Sequence, residues 1–467
     1  MEFSGGFRDE CGVFGVCDSQ DAANIAYLGL YALQHRGQES AGIATLEDGQ
    51  IRVERDMGYV ADVFDEARLS RLTGRTAIGH VRYSTAGGSF LANAQPIVFA
   101  TGRGPLALAH NGNLVNVRQI RSALERSGAL FTTTSDTEVI LHLVARSKAP
   151  TLTEAIAEAL VEVRGAYSLL ILSTEGIFAA RDPNGIRPLS LGIREGSPVV
   201  ASETCAFDLI GARFERDVEP GEIVRLSREG FASTRFAFPH HTPCVFEHVY
   251  FSRPDSLVFG RSVAATREAM GTRLAREHPA EADVVVPVPD SGMYAALGFA
   301  RESGIPFALG LVRNHYVGRT FIEPKQSIRD FGAKVKLNPV REVVEGKRVV
   351  MVDDSIVRGT TSKKIVRMLR DAGAKELHVR ISSPPTLASC HYGIDTPTRR
   401  ELIASTASVE EIRDFIGADS LGYLSTEGML QAFGRPQQAT CTACFTGVYP
   451  VEIPEEEREK EGAVAGC

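Results

Sequence analysis

The sequence predicts two domains of different class, an α+β domain followed by an α/β domain. Before about residue 240, short apolar runs such as AGIATL, PLALAHNG and AYSLLIL are separated by glycine-rich or polar turns, with helical patterns between them. Further on, apolar strands alternate with helices, which indicates a parallel sheet wrapped by helices. The change falls at FAFPHHTPC, residues 236–244, so we expect one domain over 11–240 and another over 245–467.

Periodicity and breakers predict the individual elements. In the first domain, AANIAYLGLYALQHRG is a helix that ends on Gly37, and TEVILHLVARSK is a helix that follows Asp136. In the second domain the expected order is the strand ADVVVPVP, the helix MYAALGFARESG and the strand PFALGLV. The strand KRVVMVDD, the helix TSKKIVRMLRDAG and the strand ELHVRISSPP complete the pattern.

Composition excludes several classes of protein. The 467 residues are 43% hydrophobic and 23% charged, which is ordinary for a globular chain, and the net charge of −7 argues against a general nucleic-acid binder. No run of about 18 apolar residues predicts a membrane span, and residues 1–10 lack the apolar stretch of a secretory signal. Eight cysteines are too few for a disulfide scaffold and suit a reducing cytoplasm, so catalytic or metal-binding roles are considered.

The stretch FRDECGVFGV places Cys11 at the entrance to a predicted buried strand whose glycines mark close approaches. Taken alone, such a cysteine is most simply a core residue, because cysteine is among the most buried residue types. The alternative is that residues 1–10 form a propeptide that is removed, which leaves Cys11 as the first residue. Its own α-amine, with a pKa of about 7.7 to 8.0, would then serve as the base for its thiol.

Five motifs follow in order: CGVFGV, HRGQESAGIA, GHVRYST, AHNGNLVN and TSDTEVI. Together they resemble the glutaminase domain of the N-terminal-nucleophile, or class II, amidotransferases. The resemblance implies a four-layer αββα fold, with Cys11 as the nucleophile that attacks the amide of glutamine. It implies further that Asn111 and the backbone N–H of Gly112 form the oxyanion hole.

The same resemblance implies that glutamine is held at both ends. Arg82 is expected to bind the α-carboxylate through its guanidinium, and Asp136 to accept from the α-ammonium group. Arg36 lies in a segment that is expected to shape the same pocket, and we count it among the glutamine-binding residues.

The segment RVVMVDDSIVRGTTSKKI, residues 348–365, predicts a buried strand, two carboxylates, a Gly-Thr-rich loop and a helix. Such a loop exposes backbone N–H groups at a helix N-terminus, where a phosphate is favoured. Asp353 and Asp354 stand where sugar hydroxyls would follow that phosphate, and they are suited to hold Mg²⁺. The alternative is an Asp-Asp pair that only caps a turn.

This segment resembles the phosphoribosyl diphosphate (PRPP) signature of the type I phosphoribosyltransferases, whose fold has a parallel sheet. The resemblance implies that PVPDSG, residues 287–292, is the pyrophosphate loop, and that Mg²⁺ is bound through Ser291, Asp353 and Asp354. The residues expected to bind PRPP are Asp353, Asp354, Ser355, Arg358, Gly359, Thr360, Thr361, Lys325 and Lys336.

The two lysines belong to residues 313–339, a long segment rich in positive charge in an otherwise acidic chain. On composition alone it is equally a solvated loop. Its length without obvious secondary structure favours a functional lid, which would supply cations to the pyrophosphate leaving group and exclude water.

A glutaminase followed by a PRPP site in one chain resembles the amidophosphoribosyltransferase family, from about Cys11 to Tyr449. The resemblance implies the first committed step of purine synthesis: glutamine, PRPP and water give 5-phosphoribosylamine, glutamate and pyrophosphate, with ammonia passed internally. It also implies purine nucleotide inhibitors and a homotetramer. The alternatives are another class II amidotransferase, such as a glucosamine-phosphate synthase, or a PRPP-binding regulator. The former should lack VVMVDDSIVRGTT, and the latter needs no Cys11 site.

Four further cysteines need a role. By spacing alone, Cys441 and Cys444 in TCTACF are compatible with zinc, an iron–sulfur cluster or a redox pair. Resemblance to the iron–sulfur branch of the family implies that Cys244, Cys390, Cys441 and Cys444 bind a [4Fe–4S] cluster. Cys17, Cys205 and Cys467 are expected to be core or tail residues.

Overall fold

Two antiparallel sheets make up the first half of the chain in this computed structural model, which describes residues 11–83, 90–314 and 337–458. The first sheet has seven strands in the order β11 (Arg213–Asp217), β9 (Ser190–Arg194), β10 (Ser197–Ala201), β1 (Gly12–Val16), β4 (Thr76–Arg82), β2 (Ser40–Glu47) and β3 (Gln50–Met57). The second has six in the order β13 (Gly230–Arg235), β12 (Glu222–Ser227), β8 (Gly176–Arg181), β7 (Gly165–Ser173), β6 (Gly104–Leu114) and β5 (Ile97–Thr101).

Helices cover the outer face of each sheet. Ala22–Ala32 and Cys205–Ile210 pack on the first sheet, and Glu138–Arg146 and Leu152–Glu162 pack on the second. The remaining short helices of this half are Gln34–Arg36 (3-10), Val60–Val63, Glu66–Leu69, Leu91–Asn93 (3-10) and Val117–Arg126. A separate apolar cluster lies between the sheets, so the four-layer αββα arrangement is confirmed.

Strand β1 shows how the layers are built. Val13 packs between the two sheets, whereas its neighbour Phe14 points to the helix layer, because side chains alternate along a strand. Gly29 of the covering helix leaves room for the ring of Phe14, since a Cβ there would lie 2.3 Å from it. A Cβ on Gly15 would likewise lie 2.9 Å from the side chain of Val200, which is the close approach that the glycines of this strand predicted.

The second half contains a parallel sheet in the order β16 (Val284–Pro287), β19 (Arg348–Asp353), β20 (Glu376–Ile381) and β21 (Ser420–Tyr423). Its α-helices are Val263–Glu277, Met293–Ser303, Arg341–Val344, Thr360–Asp371, Val409–Ile416, Thr426–Phe433, Ala443–Thr446 and Glu455–Arg458. The 3-10 helices are Arg399–Glu401, Ile403–Ser405 and Gln437–Ala439, and Glu247–Phe251 is a π-helical turn. Two-residue strands β14 (Leu257–Val258) and β15 (Arg261–Ser262) pair with each other.

The expected strand PFALGLV departs from the prediction. Only Phe307 forms a parallel bridge, to Val285 of β16, and a short strand β17 (Leu311–Arg313) follows. β17 pairs with β18 (Leu337–Pro339) in a separate antiparallel ribbon. Because that pairing uses residues on the far side of the 313–339 segment, local sequence did not reveal it.

The two halves share a hydrophobic core. Val115, Ala166 and Ile186 of the first half pack in one cluster with Phe246 and Val249 of the second. None of the helices in the described part of the chain is both long and apolar enough to cross a membrane.

Candidate active sites

Cys11 stands immediately before β1 and is buried, with 7% of its surface exposed. Its thiol donates to the carbonyl of Tyr83 across 3.6 Å, and its own carbonyl accepts from Nε of Arg36 at 3.0 Å. Two residues along, the N–H of Val13 donates to Oγ of Ser202 at 3.0 Å. The expected propeptide, residues 1–10, lies outside the described residues.

Asn111 and Gly112 lie on β6, in the sheet opposite Cys11. Nδ2 of Asn111 donates to the same Ser202 hydroxyl at 3.5 Å, and its buried Oδ1 has no hydrogen-bond partner within the described ranges. Gly112 has φ +140°, and a Cβ there would lie 2.1 Å from the carbonyl oxygen of Ala166, so only glycine fits. Ser202, which sequence reasoning missed, therefore joins the strand of the nucleophile to that of the expected oxyanion hole.

Asp136 is buried, and its carboxylate accepts from the N–H of Leu114 at 3.0 Å and from the hydroxyl of Thr137 at 3.2 Å. Nδ1 of His110 lies 3.7 Å away. Burial acts to raise the pKa of Asp136, but His110 and these hydrogen bonds outweigh it, so the pKa lies below its usual value. An ionised carboxylate held in this way is suited to accept from an ammonium group.

The two arginines expected at the glutamine pocket are both buried, but their charged partners differ. Arg82 ends β4, and its Nη1 lies 3.7 Å from Oε2 of Glu39. Arg36 is fully buried, and its Nη1 donates to Glu203 at 2.6 Å while Nη2 donates to Glu247 at 2.8 Å. Its Nε holds the carbonyl of Cys11, so its contact with the site runs through the backbone of the nucleophile.

The carboxylate pair at the end of β19 is buried and close to the expected pyrophosphate loop. Oγ of Ser291 donates to Oδ1 of Asp353 at 3.4 Å, and the N–H of Asp354 donates to the same oxygen at 2.9 Å. The hydroxyl of Ser355 donates to Asp354. Burial, followed by the charge of Asp354, raises the pKa of Asp353 well above its usual range.

The expected phosphate loop ends at a helix N-terminus. Gly359 has φ +72° and precedes the helix Thr360–Asp371, whose first residues, Thr360 and Thr361, are exposed. Nη2 of Arg358 donates to Oε1 of Glu401 at 2.7 Å. This arrangement presents backbone N–H groups and hydroxyls to solvent beside the two carboxylates.

The expected lid lies mostly outside the described residues, and with it Lys325 and Lys336. Its two described ends are paired side by side, with Arg313 opposite Leu337. Nη1 of Arg313 donates to Asp290 of the expected pyrophosphate loop at 2.7 Å, which places the base of the segment beside the expected PRPP site.

The expected cluster ligands come together from three separate segments. Cys244 and Cys441 form a parallel bridge, and the carbonyl of Cys444 accepts from Leu387 and Ala388, just before Cys390. Burial raises the pKa of Cys441 to about 12 and that of Cys444 well above its usual value, and the charge of Cys390 adds to both. Among the described residues, no three metal-ligating side chains are arranged as a ready metal site.

The other described cysteines are core residues, as expected. Cys17 packs between the sheets, where burial raises its pKa, and Cys205 packs beneath the first sheet. Cys467 lies outside the described residues.

Two family matches fall on the two halves of the chain: a glutamine amidotransferase domain over residues 80–208 and a phosphoribosyl transferase domain over residues 261–383. The chain is 54% identical to amidophosphoribosyltransferase 2 (chloroplastic) of Arabidopsis thaliana, covering 97% of this chain and 82% of the relative. It is 52% identical to amidophosphoribosyltransferase of Bacillus subtilis, over 97% and 96% of the two chains.

Solved structures lead to the same family as the sequence relatives do. The glutamine PRPP amidotransferase of B. subtilis complexed with ADP and GMP is 52% identical, with a TM-score of 0.91 over 96% of this chain and 98% of that one. A structure described as the allosteric regulatory enzyme of purine biosynthesis is 51% identical, with a TM-score of 0.93 over 97% and 100%. Because both halves match, a glucosamine-phosphate synthase or a PRPP-binding regulator is not favoured. The chain belongs to the amidophosphoribosyltransferase family, the glutamine amidotransferases that catalyse the first committed step of purine synthesis.

Proposed function

We propose that this chain makes 5-phosphoribosylamine through two linked sites, in which Cys11 releases ammonia from glutamine and the ammonia displaces pyrophosphate from PRPP. The observation that carries the first site is the hydroxyl of Ser202, which contacts both the strand of Cys11 and the amide of Asn111. The proposed domains, 11–240 and 245–467, are supported by the two family matches, each of which falls within one of them.

Removal of residues 1–10 gives Cys11 a free α-amine, which takes the proton of the thiol. The thiolate attacks the side-chain amide carbon of glutamine, and the oxyanion is stabilised by Asn111 and the N–H of Gly112. The C–N bond then breaks, and ammonia leaves with the proton that the amine returns. Water hydrolyses the thioester to glutamate and restores the thiol.

Substrate binding in the first site is assigned to two charged groups. Arg82 binds the α-carboxylate of glutamine, and Asp136, which its neighbours keep ionised, binds the α-ammonium group. Arg36 contributes by holding the carbonyl of Cys11, since its guanidinium already serves Glu203 and Glu247.

The second site is assigned to the end of β19. Asp353, Asp354 and Ser291 offer oxygen atoms in a place where two like charges are buried together, and such a donor set fits Mg²⁺. Bound Mg²⁺ supplies positive charge to the pyrophosphate leaving group. The residues assigned to PRPP itself are Asp353, Asp354, Ser355, Arg358, Gly359, Thr360, Thr361, Lys325 and Lys336.

Ammonia is passed inside the protein in this proposal, because ammonia at neutral pH is mostly protonated and unreactive as a nucleophile. The contacts between the two halves support an internal route. Nδ2 of Asn113 donates to the carbonyl of His391 at 2.9 Å, and a Cβ on Gly393 would lie 3.0 Å from Cα of Gly112. The second domain therefore lies directly against the strand of the expected oxyanion hole.

An iron–sulfur group is proposed for the four clustered cysteines, although their described side chains do not form a ready metal site. The cysteines come from three segments that lie side by side, and Nη2 of Arg187, 3.9 Å from Sγ of Cys390, supplies positive charge beside them. A [4Fe–4S] cluster bound by Cys244, Cys390, Cys441 and Cys444 would supply a cross-link between three segments. Anaerobically purified protein should contain about four irons and four sulfides per chain. Zinc in their place would overturn this assignment.

Regulation and setting are also proposed. The B. subtilis relative was solved with ADP and GMP, which supports purine nucleotides as inhibitors of this chain. We further propose that the protein is a homotetramer and that it lies in the cytoplasm. The proposed location rests on the cysteine content of the sequence.

Cys11→Ala tests the two-site proposal. Synthesis from glutamine should be lost, whereas synthesis from high concentrations of ammonia should continue, because the second site does not use the thiol. Mass spectrometry of active protein should show Cys11 as its first residue. Full activity in protein that retains residues 1–10 would contradict the role of the α-amine.

A further inference from the structure

We propose that Glu247 is a positioning residue of the glutaminase, which fixes both the nucleophile and the oxyanion strand from the turn that follows the domain seam. The inference rests on the proposed function, in which Cys11 and Gly112 form one catalytic site. Sequence motifs did not single out Glu247, and neither of the two family matches includes it.

The first contact of Glu247 leads to the nucleophile. Its Oε1 accepts from Nη2 of Arg36 at 2.8 Å, and its Oε2 accepts from Nη1 at 3.0 Å, so the pair is bidentate. The remaining guanidinium donor, Nε of Arg36, donates to the carbonyl of Cys11 at 3.0 Å. Glu247 thereby fixes the plane of the guanidinium whose third nitrogen orients Cys11.

The second contact leads to the oxyanion strand. Oε1 of Glu247 also lies 3.2 Å from Nη1 of Arg187, whose Nε donates to the carbonyl of Tyr392 at 2.8 Å. The next residue, Gly393, packs on Gly112 so closely that a Cβ on it would lie 3.0 Å from Cα of Gly112. Glu247 therefore fixes the loop that presses on the strand carrying Asn111 and Gly112.

The placement of the charges argues for positioning. The side chains of Arg36, Arg187 and Glu247 are all fully buried. Burying such a pair contributes little net stability, because desolvation offsets much of the attraction. The arrangement instead fixes the positions of two backbone carbonyls. Arg36 holds the carbonyl of Cys11, and Arg187 holds that of Tyr392, which precedes the glycine packed against Gly112.

Glu247 is itself held firmly. Oγ of Ser252 donates to its Oε2 at 2.6 Å. Arg267 donates to the carbonyls of His248, Tyr250 and Ser252, which spans the whole π-helical turn. Because its carboxylate is fixed to the turn, Glu247 holds the guanidinium groups of Arg36 and Arg187 in fixed positions.

The test is Glu247→Gln in the full-length chain, with Glu222→Gln as the matched control. Glu222 is also a buried carboxylate in a bidentate pair with an arginine, Arg216, but it lies on β12 and contacts no residue assigned to catalysis. Glu247→Gln should lower the glutaminase kcat by about 10²-fold with little change in KM for glutamine, because a displacement of about 1 Å has that effect. Ammonia-dependent synthesis should stay within about 2-fold of its original rate.

A second readout reports on Cys11 directly. The rate at which a glutamine-like diazoketone alkylates the thiol should fall with the glutaminase kcat, while Glu222→Gln leaves both unchanged. Glu247→Asp should recover part of the rate by restoring the charge. If Glu247→Gln does not yield folded protein, Ser252→Ala, which frees one carboxylate oxygen, should show a smaller change of the same kind.

Two results would overturn the positioning role: an unchanged glutaminase in Glu247→Gln, or equal losses of the glutamine-dependent and ammonia-dependent rates. Both are distinct from failure of the proposed function, which would show as glutaminase activity retained by Cys11→Ala.

Discussion

The proposed glutaminase site and the proposed PRPP site differ in how their buried charges are paired. In the first, buried Arg36 meets the opposite charges of Glu203 and Glu247. The carboxylate of Asp136 lies 3.7 Å from Nδ1 of His110 and is held by hydrogen bonds from Leu114 and Thr137. The charges of His35 and Arg36 overcome the effect of burial and lower the pKa of Glu203 to about 2. In the second, Asp353 and Asp354 are buried together, and the pKa of Asp353 is raised.

The chain completes the charge pairing of the proposed glutaminase site by itself, but not that of the proposed PRPP site. Paired charges hold the glutaminase groups in place before any substrate arrives, which is the condition for oxyanion stabilisation by fixed donors. Two adjacent buried carboxylates repel each other when both are ionised, and the repulsion is relieved by a proton, as the raised pKa of Asp353 reflects, or by a bound cation. The PRPP site is therefore built to be completed by its ligands.

The largest effect should follow from removing both carboxylates. Asp353→Asn combined with Asp354→Asn preserves shape but removes the charge that attracts Mg²⁺, so synthesis from glutamine and from ammonia should both fall by about 10³-fold or more. Initial rates with each nitrogen source measure this. Retained ammonia-dependent synthesis would show that PRPP binds elsewhere.

Arg36→Met should disrupt the paired buried charges of the proposed glutaminase site. It leaves Glu203 and Glu247 buried without their shared cation, which costs about 3 to 5 kcal/mol of folding free energy. The midpoint of urea denaturation should fall clearly. The control is Arg52→Met, which removes an exposed pair with Glu47 and should change stability by less than about 1 kcal/mol. Equal shifts in the two variants would contradict the distinction drawn above.

Sequence predicted the parts of both sites that lie within continuous motifs. The strand after Cys11 and the order of strand, carboxylates and helix around Asp353 follow from local pattern, whereas the role of Gly112 was implied by the family resemblance. Local pattern was also sufficient for the helix Met293–Ser303, which ends at a left-handed Gly304.

Sequence could not predict the partners that lie far away along the chain. Arg36 meets Glu203 and Glu247 across 167 and 211 positions, and Arg187 meets Tyr392 across 205. A fully buried arginine requires carboxylates nearby, but nothing in the motif HRGQESAGIA says which ones. For the same reason Ser202 was missed, because its role depends on two sheets meeting.

Ser202→Ala should have a smaller effect than either change above. The variant removes the hydroxyl that links Val13 and Asn111, so Asn111 is oriented less well toward the developing oxyanion. We expect the glutaminase kcat to fall by about 10-fold, because the donor itself remains. Steady-state kinetics with glutamine measure the change. The ammonia-dependent rate is the internal control, and a loss there would indicate general disruption.

The smallest expected effect is a pH dependence of stabilisation by Mg²⁺. A carboxyl group whose pKa is raised on folding binds more protons in the native state than in the unfolded one. Stability without metal therefore falls as pH rises from the unfolded pKa of about 3.9 through the raised pKa of Asp353.

Mg²⁺ relieves the repulsion only where both carboxylates are ionised, so the rise in Tm on adding Mg²⁺ should be larger at about pH 8 than at about pH 5. Asp353→Asn should remove the difference between the two pH values, because the remaining carboxylate of Asp354 then has no like-charged neighbour whose repulsion Mg²⁺ could relieve. An equal rise at both pH values would mean that the pair is already ionised without metal, and that the PRPP site resembles the glutaminase site in this respect.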